Sequence, residues 1–110
     1  MKATPPDLLP GTLDMLVLRV LARASMHGYG IAQRLRELSD DVLVVGESSL
    51  YPALQRLLLN DYVRGEWAPS ENNRRARYYT LTPAGRKHLQ AEKSEFKRLI
   101  GAIEHVLENA

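Results

Sequence analysis

Apolar side chains at Leu13, Leu16, Val17, Val20, Leu21 and Ala24 recur every three or four positions, which predicts a first helix with one inward stripe. Thr12 is its expected N-cap, behind the chain-breaking pair Pro10-Gly11. A second helix is expected just after Gly28, turning Ile31, Leu35 and Leu38 inward and ending near Asp40-Asp41. Val42-Leu43-Val44-Val45 is short, β-branched and closed by Gly46, the composition of a brief strand or extended connector. A third helix is expected from about Ser48 to Asn60, with Leu50, Ala53, Leu54, Leu57 and Leu58 facing inward. Pro52 is tolerated only in a first turn, where backbone N–H groups lack partners anyway, and this makes Ser48 the expected cap. Asn60-Asp61 closes the helix with residue types that accept left-handed backbone geometry.

Beyond that point the pattern changes. Tyr62 to Trp67 and Arg77 to Leu81 are rich in aromatic and β-branched residues and predict two strands. The polar, turn-rich segment from Ala68 to Arg75 joins them into a hairpin with a long basic tip. Thr82-Pro83 then combines an N-cap threonine with proline at the first helical position. The last helix is expected to run to about Asn109, with Phe96, Leu99, Ile100, Ile103, Val106 and Leu107 as its stripe. The order is helix, helix, short strand, helix, hairpin, helix. The expected fold is therefore mainly α with a small β-hairpin: a winged helix-turn-helix over residues 1–82 and a long C-terminal dimerisation helix over 83–110, forming one compact unit.

Composition narrows the function classes. A chain of 110 residues builds one domain with a real core, and 45% hydrophobic with 25% charged residues is a globular mixture. Cysteine is absent, which excludes disulfide staples and thiolate metal sites. Met1 to Pro6 has no apolar run of a secretory signal, and Asp14, Arg19 and Arg23 interrupt the most apolar stretch, so no membrane span is expected. A cytoplasmic, nucleoid-associated chain is the matching expectation. His27, His88 and His105 lack ligand spacing, so neither a metal nor another cofactor is expected. Gly28-Tyr29-Gly30 is no dinucleotide fingerprint, because Gln33 stands where the third glycine belongs. Asp40 and Asp41 read as helix terminators, and Ser48-Ser49 lacks a nucleophile elbow. Nothing supports an enzyme.

The net charge of +2 conceals an uneven distribution. From Arg64 to Lys87 six basic residues face only Glu66 and Glu71, so that segment carries +4 and the remainder −2. Eleven arginines against four lysines favour forked contacts to phosphate or carboxylate over diffuse solvation. A helix-turn-helix recognition helix presents its N-terminal residues to base edges. Here those are Ser48, Ser49, Tyr51 and Pro52, with Gln55 and Arg56 one turn later. Gln55 has the geometry to read adenine and Arg56 guanine, and the free N–H groups of the helix end favour a phosphate. For Tyr51, core packing and an outward position are equally open. Asn73, Arg74, Arg75 and Arg77 on the hairpin, and Tyr29 at the start of the second helix, complete the candidate duplex-DNA set. Trp67 reads as packed.

The last helix needs a partner. Its roughly 27 residues span about 40 Å, longer than a headpiece of this size covers. Leu89, Phe96 and Ile103 lie seven apart, with Leu99 and Val106 three beyond, a short coiled-coil-like seam. Together with Ile100 and Leu107 these define the candidate homodimer face.

The segments Gly11-Thr12-Leu13-Asp14, 27–32 (HGYGIA), 48–57 (SSLYPALQRL) and 73–85 (NRRARYYTLTPAG) resemble the PadR family of transcriptional regulators, over about residues 9–107. The resemblance implies a dimeric winged-helix repressor of the short form, with one C-terminal helix and, in some relatives, release from DNA by small aromatic or hydrophobic effectors. The chain departs from that pattern at Asn60-Asp61-Tyr62, where relatives often carry glycine, and at Phe96, where a tryptophan is common. Two other readings remain: a winged-helix module for protein–protein contact, and a small-molecule sensor whose DNA binding is secondary.

Overall fold

The protein, described from a computed structural model over residues 11–110, orders its elements as α1 (Thr12–Leu21), β1 (Met26–His27), α2 (Gly28–Leu38), α3 (Glu47–Leu59), β2 (Val63–Pro69), β3 (Arg75–Leu81) and α4 (Pro83–Asn109). The readings made on Met1–Pro6 and on Pro10 lie outside the described residues. β3 is the middle strand of a three-stranded antiparallel sheet, flanked by β1 and β2. Val17 and Leu18 of α1, Ile31 of α2 and Leu54 of α3 have no accessible surface and form the centre of the core, with Val63, Tyr79 and Leu89 closing it. None of the helices among the described residues is long and apolar enough to cross a membrane.

Four local expectations are corrected. The short strand lies before α2 rather than after it: Met26–His27 pairs with Tyr79 and Tyr78, whereas 42–45 has no strand partner and stays irregular. Thr12 is the first helical residue, and Gly11 caps α1 in the left-handed region at φ 84°, where a Cβ would be strained. α3 begins at Glu47 behind Gly46, without a side-chain cap from Ser48. Pro52 is therefore the sixth residue of the helix, and its missing N–H leaves the Ser48 carbonyl without its usual partner. Leu38 and Ala24, expected inside, are exposed, because α1 and α2 end at or before them and the core is filled by Met15 and Leu18 instead. The helix ends themselves follow local chemistry: Asp40, Asp41 and Asp61 all sit at positive φ just past α2 and α3.

One junction ties the wing to the helices on either side of it. The Thr82 Oγ1 accepts from the Gly85 N–H at 3.0 Å and donates to the Asp61 carbonyl at 2.6 Å. The Thr82 N–H donates to the Tyr62 carbonyl at 3.1 Å. Gly85 lies so close to that carbonyl that an added Cβ would fall 2.0 Å from its oxygen. The Tyr62 and His88 rings stack at 4.1 Å across the same joint. A second tie joins α3 to α1: Arg56 donates from Nε and Nη2 to the two Asp14 carboxylate oxygens at 3.0 and 2.8 Å. That hydrogen bond raises the Arg56 pKa above its ordinary value.

Two stability results are expected. Gly85→Ala should cost about 3 kcal/mol or abolish cooperative unfolding in urea, because backbone rather than a flexible side chain must move. A double-mutant cycle with Asp14→Asn and Arg56→Gln should return a coupling of only about 0.5–1 kcal/mol, since the pair is forked but Arg56 is half-exposed.

Candidate nucleic-acid interface

α3 buries Leu50, Ala53, Leu54 and Leu57 along one side. Helical geometry then turns Ser48, Ser49, Tyr51, Pro52 and Gln55 to the outside, and all five are exposed. Tyr51 is 52% exposed, which settles its two readings in favour of the outward one. Tyr29, in the first turn of α2, is 75% exposed, with its ring tilted against His27 at 6.4 Å. His27 itself caps α2, its Nδ1 accepting from the Gly30 N–H at 3.0 Å. The α3 face thus offers hydroxyl, amide and phenol groups.

Two expectations for this helix change. Arg56 does not present a free fork, because both carboxylate oxygens of Asp14 already hold it. Reading a guanine would require that pair to break. The N-terminus of α3 also carries Glu47 in its first turn, so negative charge is already supplied to the positive end of the helix dipole.

The wing carries the other candidate residues. β2 and β3 pair from Val63↔Leu81 out to Pro69↔Arg75, so the strands reach further than the composition indicated and only residues 70–74 form the tip. The tip is braced internally: the N–H and Oγ of Ser70 both donate to the Arg74 carbonyl at 2.7 Å, and the Asn73 N–H donates to the Ser70 carbonyl at 3.1 Å. Asn73 adopts φ 59°, which asparagine tolerates better than most residues. This backbone closure leaves the Asn72, Asn73, Arg74 and Arg75 side chains exposed.

Strand alternation divides the wing into two faces. Val63, Gly65, Trp67 and Pro69 share one face with Leu81, Tyr79, Arg77 and Arg75, their cross-strand partners. Val63 and Tyr79 are buried, so this is the core side, and it continues outward past the core edge through Arg77 and Arg75. Arg77 is half-buried on β3, not at the tip; its guanidinium lies 5.9 Å from the Tyr79 ring centre and against Gly65. Burial pushes the Tyr79 phenol up, the Arg77 charge pulls it back, and Tyr51 of α3 adds to the rise. Trp67 is 61% exposed rather than packed, because it stands beyond the last buried pair of its face. Composition could not show this; the parity shared with Arg75 and Arg77 is the signal that would have.

Four arginines elsewhere are engaged, while Arg19, Arg23, Arg64 and Arg86 have no carboxylate partner among the described residues. Arg34, Arg36, Arg56 and Arg98 each pair with a carboxylate, whereas among the described residues no carboxylate pairs with Arg74, Arg75 or Arg77.

The proposed dimer face divides in the same plain way. Leu89 is 2% exposed and belongs to the core of its own chain, so it is unavailable to a partner. Phe96 and Ile100 are half-buried, and Phe96 packs against the core. Leu99, Ile103, Val106 and Leu107 are exposed, and every residue from Gly101 to the end of α4 is exposed. A groove of about 250 Å³ opens between the start of α1 and α4, lined by Thr12, Met15, Glu92, Phe96, Leu99 and Ala102 among others.

Comparison with known proteins agrees with this architecture. The profile of the transcriptional regulator PadR-like family matches residues 17–91. An uncharacterized 37.1 kDa protein of a Streptomyces fradiae transposon is 42% identical over 90 residues, which is 82% of this chain but 24% of that protein's length. Among solved structures, a transcriptional regulator from Clostridium thermocellum superposes with a TM-score of 0.79 at 29% identity, covering 86% of this chain and 92% of that one. A PadR family transcription regulator from Clostridium difficile superposes with a TM-score of 0.75 at 26% identity, covering 88% and 99% of the two chains. On the family match across most of its length and on the shared winged-helix architecture, the chain belongs to the PadR-like family of transcriptional regulators, DNA-binding proteins built on this fold.

Proposed function

We propose that the protein is a homodimeric repressor that holds a palindromic operator between paired recognition helices and wings. The observation that carries this reading is the set of wing arginines left without carboxylate partners beside the exposed polar face of α3. In the proposed complex Ser48, Ser49, Tyr51, Pro52 and Gln55 face base edges in the major groove, with Tyr29 beside them. Arg74, Arg75 and Arg77 take phosphates, and Asn73 shapes the tip that carries them. Arg56 acts one step back, fixing α3 against α1.

The dimer reading rests on α4. Its last turns leave Ile103, Val106 and Leu107 exposed, an apolar stripe that no other element among the described residues covers. A two-fold pairing through Phe96, Leu99, Ile100, Ile103, Val106 and Leu107 covers it, and two-fold symmetry in the protein calls for inverted half-sites in the DNA. Repression follows from occupancy, since a dimer across a promoter blocks access to it. The groove between α1 and α4 is close in size to the smaller ligand sites and is lined by Met15, Phe96 and Leu99, which suits a small aromatic or hydrophobic effector.

Binding to a dye-labelled duplex across a salt series tests the phosphate part. Each phosphate-held arginine contributes about 0.9 to the slope of log K against log salt, so the Arg74→Ala/Arg75→Ala dimer should lose roughly 3–4 of it. An unchanged slope would remove the wing from the interface, and no binding at low salt would favour the protein-contact reading instead. Ile103→Glu with Val106→Glu should halve the mass measured by sedimentation. A variant that stays dimeric would place the interface elsewhere.

A further inference from the structure

Trp67 combines three observations that the phosphate reading leaves unused. It is a large apolar side chain with 61% of its surface in solvent, while Tyr79, one register step inward on the same face, is 4% exposed. It stands directly across the ladder from Arg77, whose guanidinium lies against Gly65, the next residue inward from Trp67 on the same face. Arg77 in turn has an enclosed Nε with no hydrogen-bond partner. Its side chain lies flat because residue 65 is glycine: a Cβ there would come within 2.4 Å of that Nε. Arg75 borders the same site, its Nη2 directed at the Trp67 carbonyl at 3.5 Å. Glu66, the nearest acid in sequence, alternates onto the opposite face with Tyr78.

We propose that Trp67 and Arg77 form one backbone seat, in which Arg77 takes a phosphate of duplex DNA and the indole lies against the deoxyribose beside it. The inference rests on the DNA reading and assigns the wing's tryptophan a part in it. The chemistry of the occupant follows from the pair. An isolated exposed indole favours any apolar surface, and an isolated arginine favours any anion. On one face of a rigid strand pair, they match a ligand in which an apolar ring and an anionic group alternate, as sugar and phosphate do along a nucleic-acid strand. The positive charge of Arg75 and Arg77 on the face that carries the indole disfavours an apolar protein partner that brings no acid of its own. Burying part of the indole against a sugar adds affinity without releasing counterions, so it leaves a signature different from that of an arginine.

The chain's single tryptophan makes the test direct. The full-length protein is titrated with a dye-labelled duplex, and anisotropy of the dye is followed together with tryptophan emission. The emission should shift to shorter wavelength or quench in step with the anisotropy. Trp67→Ala should weaken binding about tenfold with the salt slope unchanged, and Trp67→Phe should recover most of the loss. Arg77→Gln should lower the slope by roughly 0.9 per protomer. Anisotropy that saturates while the emission stays constant, with Trp67→Ala binding as the parent does, would overturn the seat and leave the DNA reading standing. A drop in salt slope for Trp67→Ala equal to that of Arg77→Gln would also overturn it, since the indole would then be only a prop for the cation. Absence of any anisotropy change at low salt would remove both readings together.

Discussion

The arrangement of this molecule depends on the joint at Thr82. One hydroxyl both caps α4 and donates to the carbonyl of Asp61, the residue that turns the chain out of α3. Gly85 lets the first turn of α4 come against the Tyr62 backbone, closer than any other residue would permit. Because the same few atoms end α3, start the wing and launch the long helix, the relative directions of all three are set together. Side chains separated by the whole hairpin can then face one partner. The second tie, Asp14 to Arg56, does the same for α3 and α1, whose first residues border the groove against α4.

Electrostatics then separates structure from function. Four arginines outside the wing each meet a carboxylate: Arg34 with Glu37, Arg36 with Asp41, Arg56 with Asp14, Arg98 with Glu95. The wing reverses this. Its tip is closed by backbone and serine hydrogen bonds, and among the described residues no carboxylate pairs with Arg74, Arg75 or Arg77. The exposed end of α4 is the apolar counterpart, with Val106 and Leu107 presented to whatever covers them.

Much of the fold was legible in sequence because its signals are local. The helical stripes of α1, α3 and α4, the Thr82-Pro83 start and the polar hairpin tip each need only neighbouring residues to be read. What escaped depends on partners far away along the chain. β1 is two residues long, too short for any periodicity, and exists only because β3 lies beside it. Residues 42–45 have the right composition for a strand and no neighbour to pair with. Arg56 looked available because Asp14 is 42 positions away. Leu89 fits the heptad spacing of the α4 seam, yet it falls one turn too early and is claimed by the core. Trp67 was misjudged for a related reason, since only the cross-strand register shows where its face leaves the core.

The central claim is that one surface, made of the outer face of α3 and the core-side face of the wing, meets duplex DNA. Backbone hydrogen exchange of the full chain, with and without duplex at low salt, addresses it most directly. Slowed exchange concentrated in 48–55 and 70–77, with the last turns of α4 unchanged, is the result this account expects. Protection confined to α4 or to the loop after α2, with the wing exchanging as in the free protein, would contradict it.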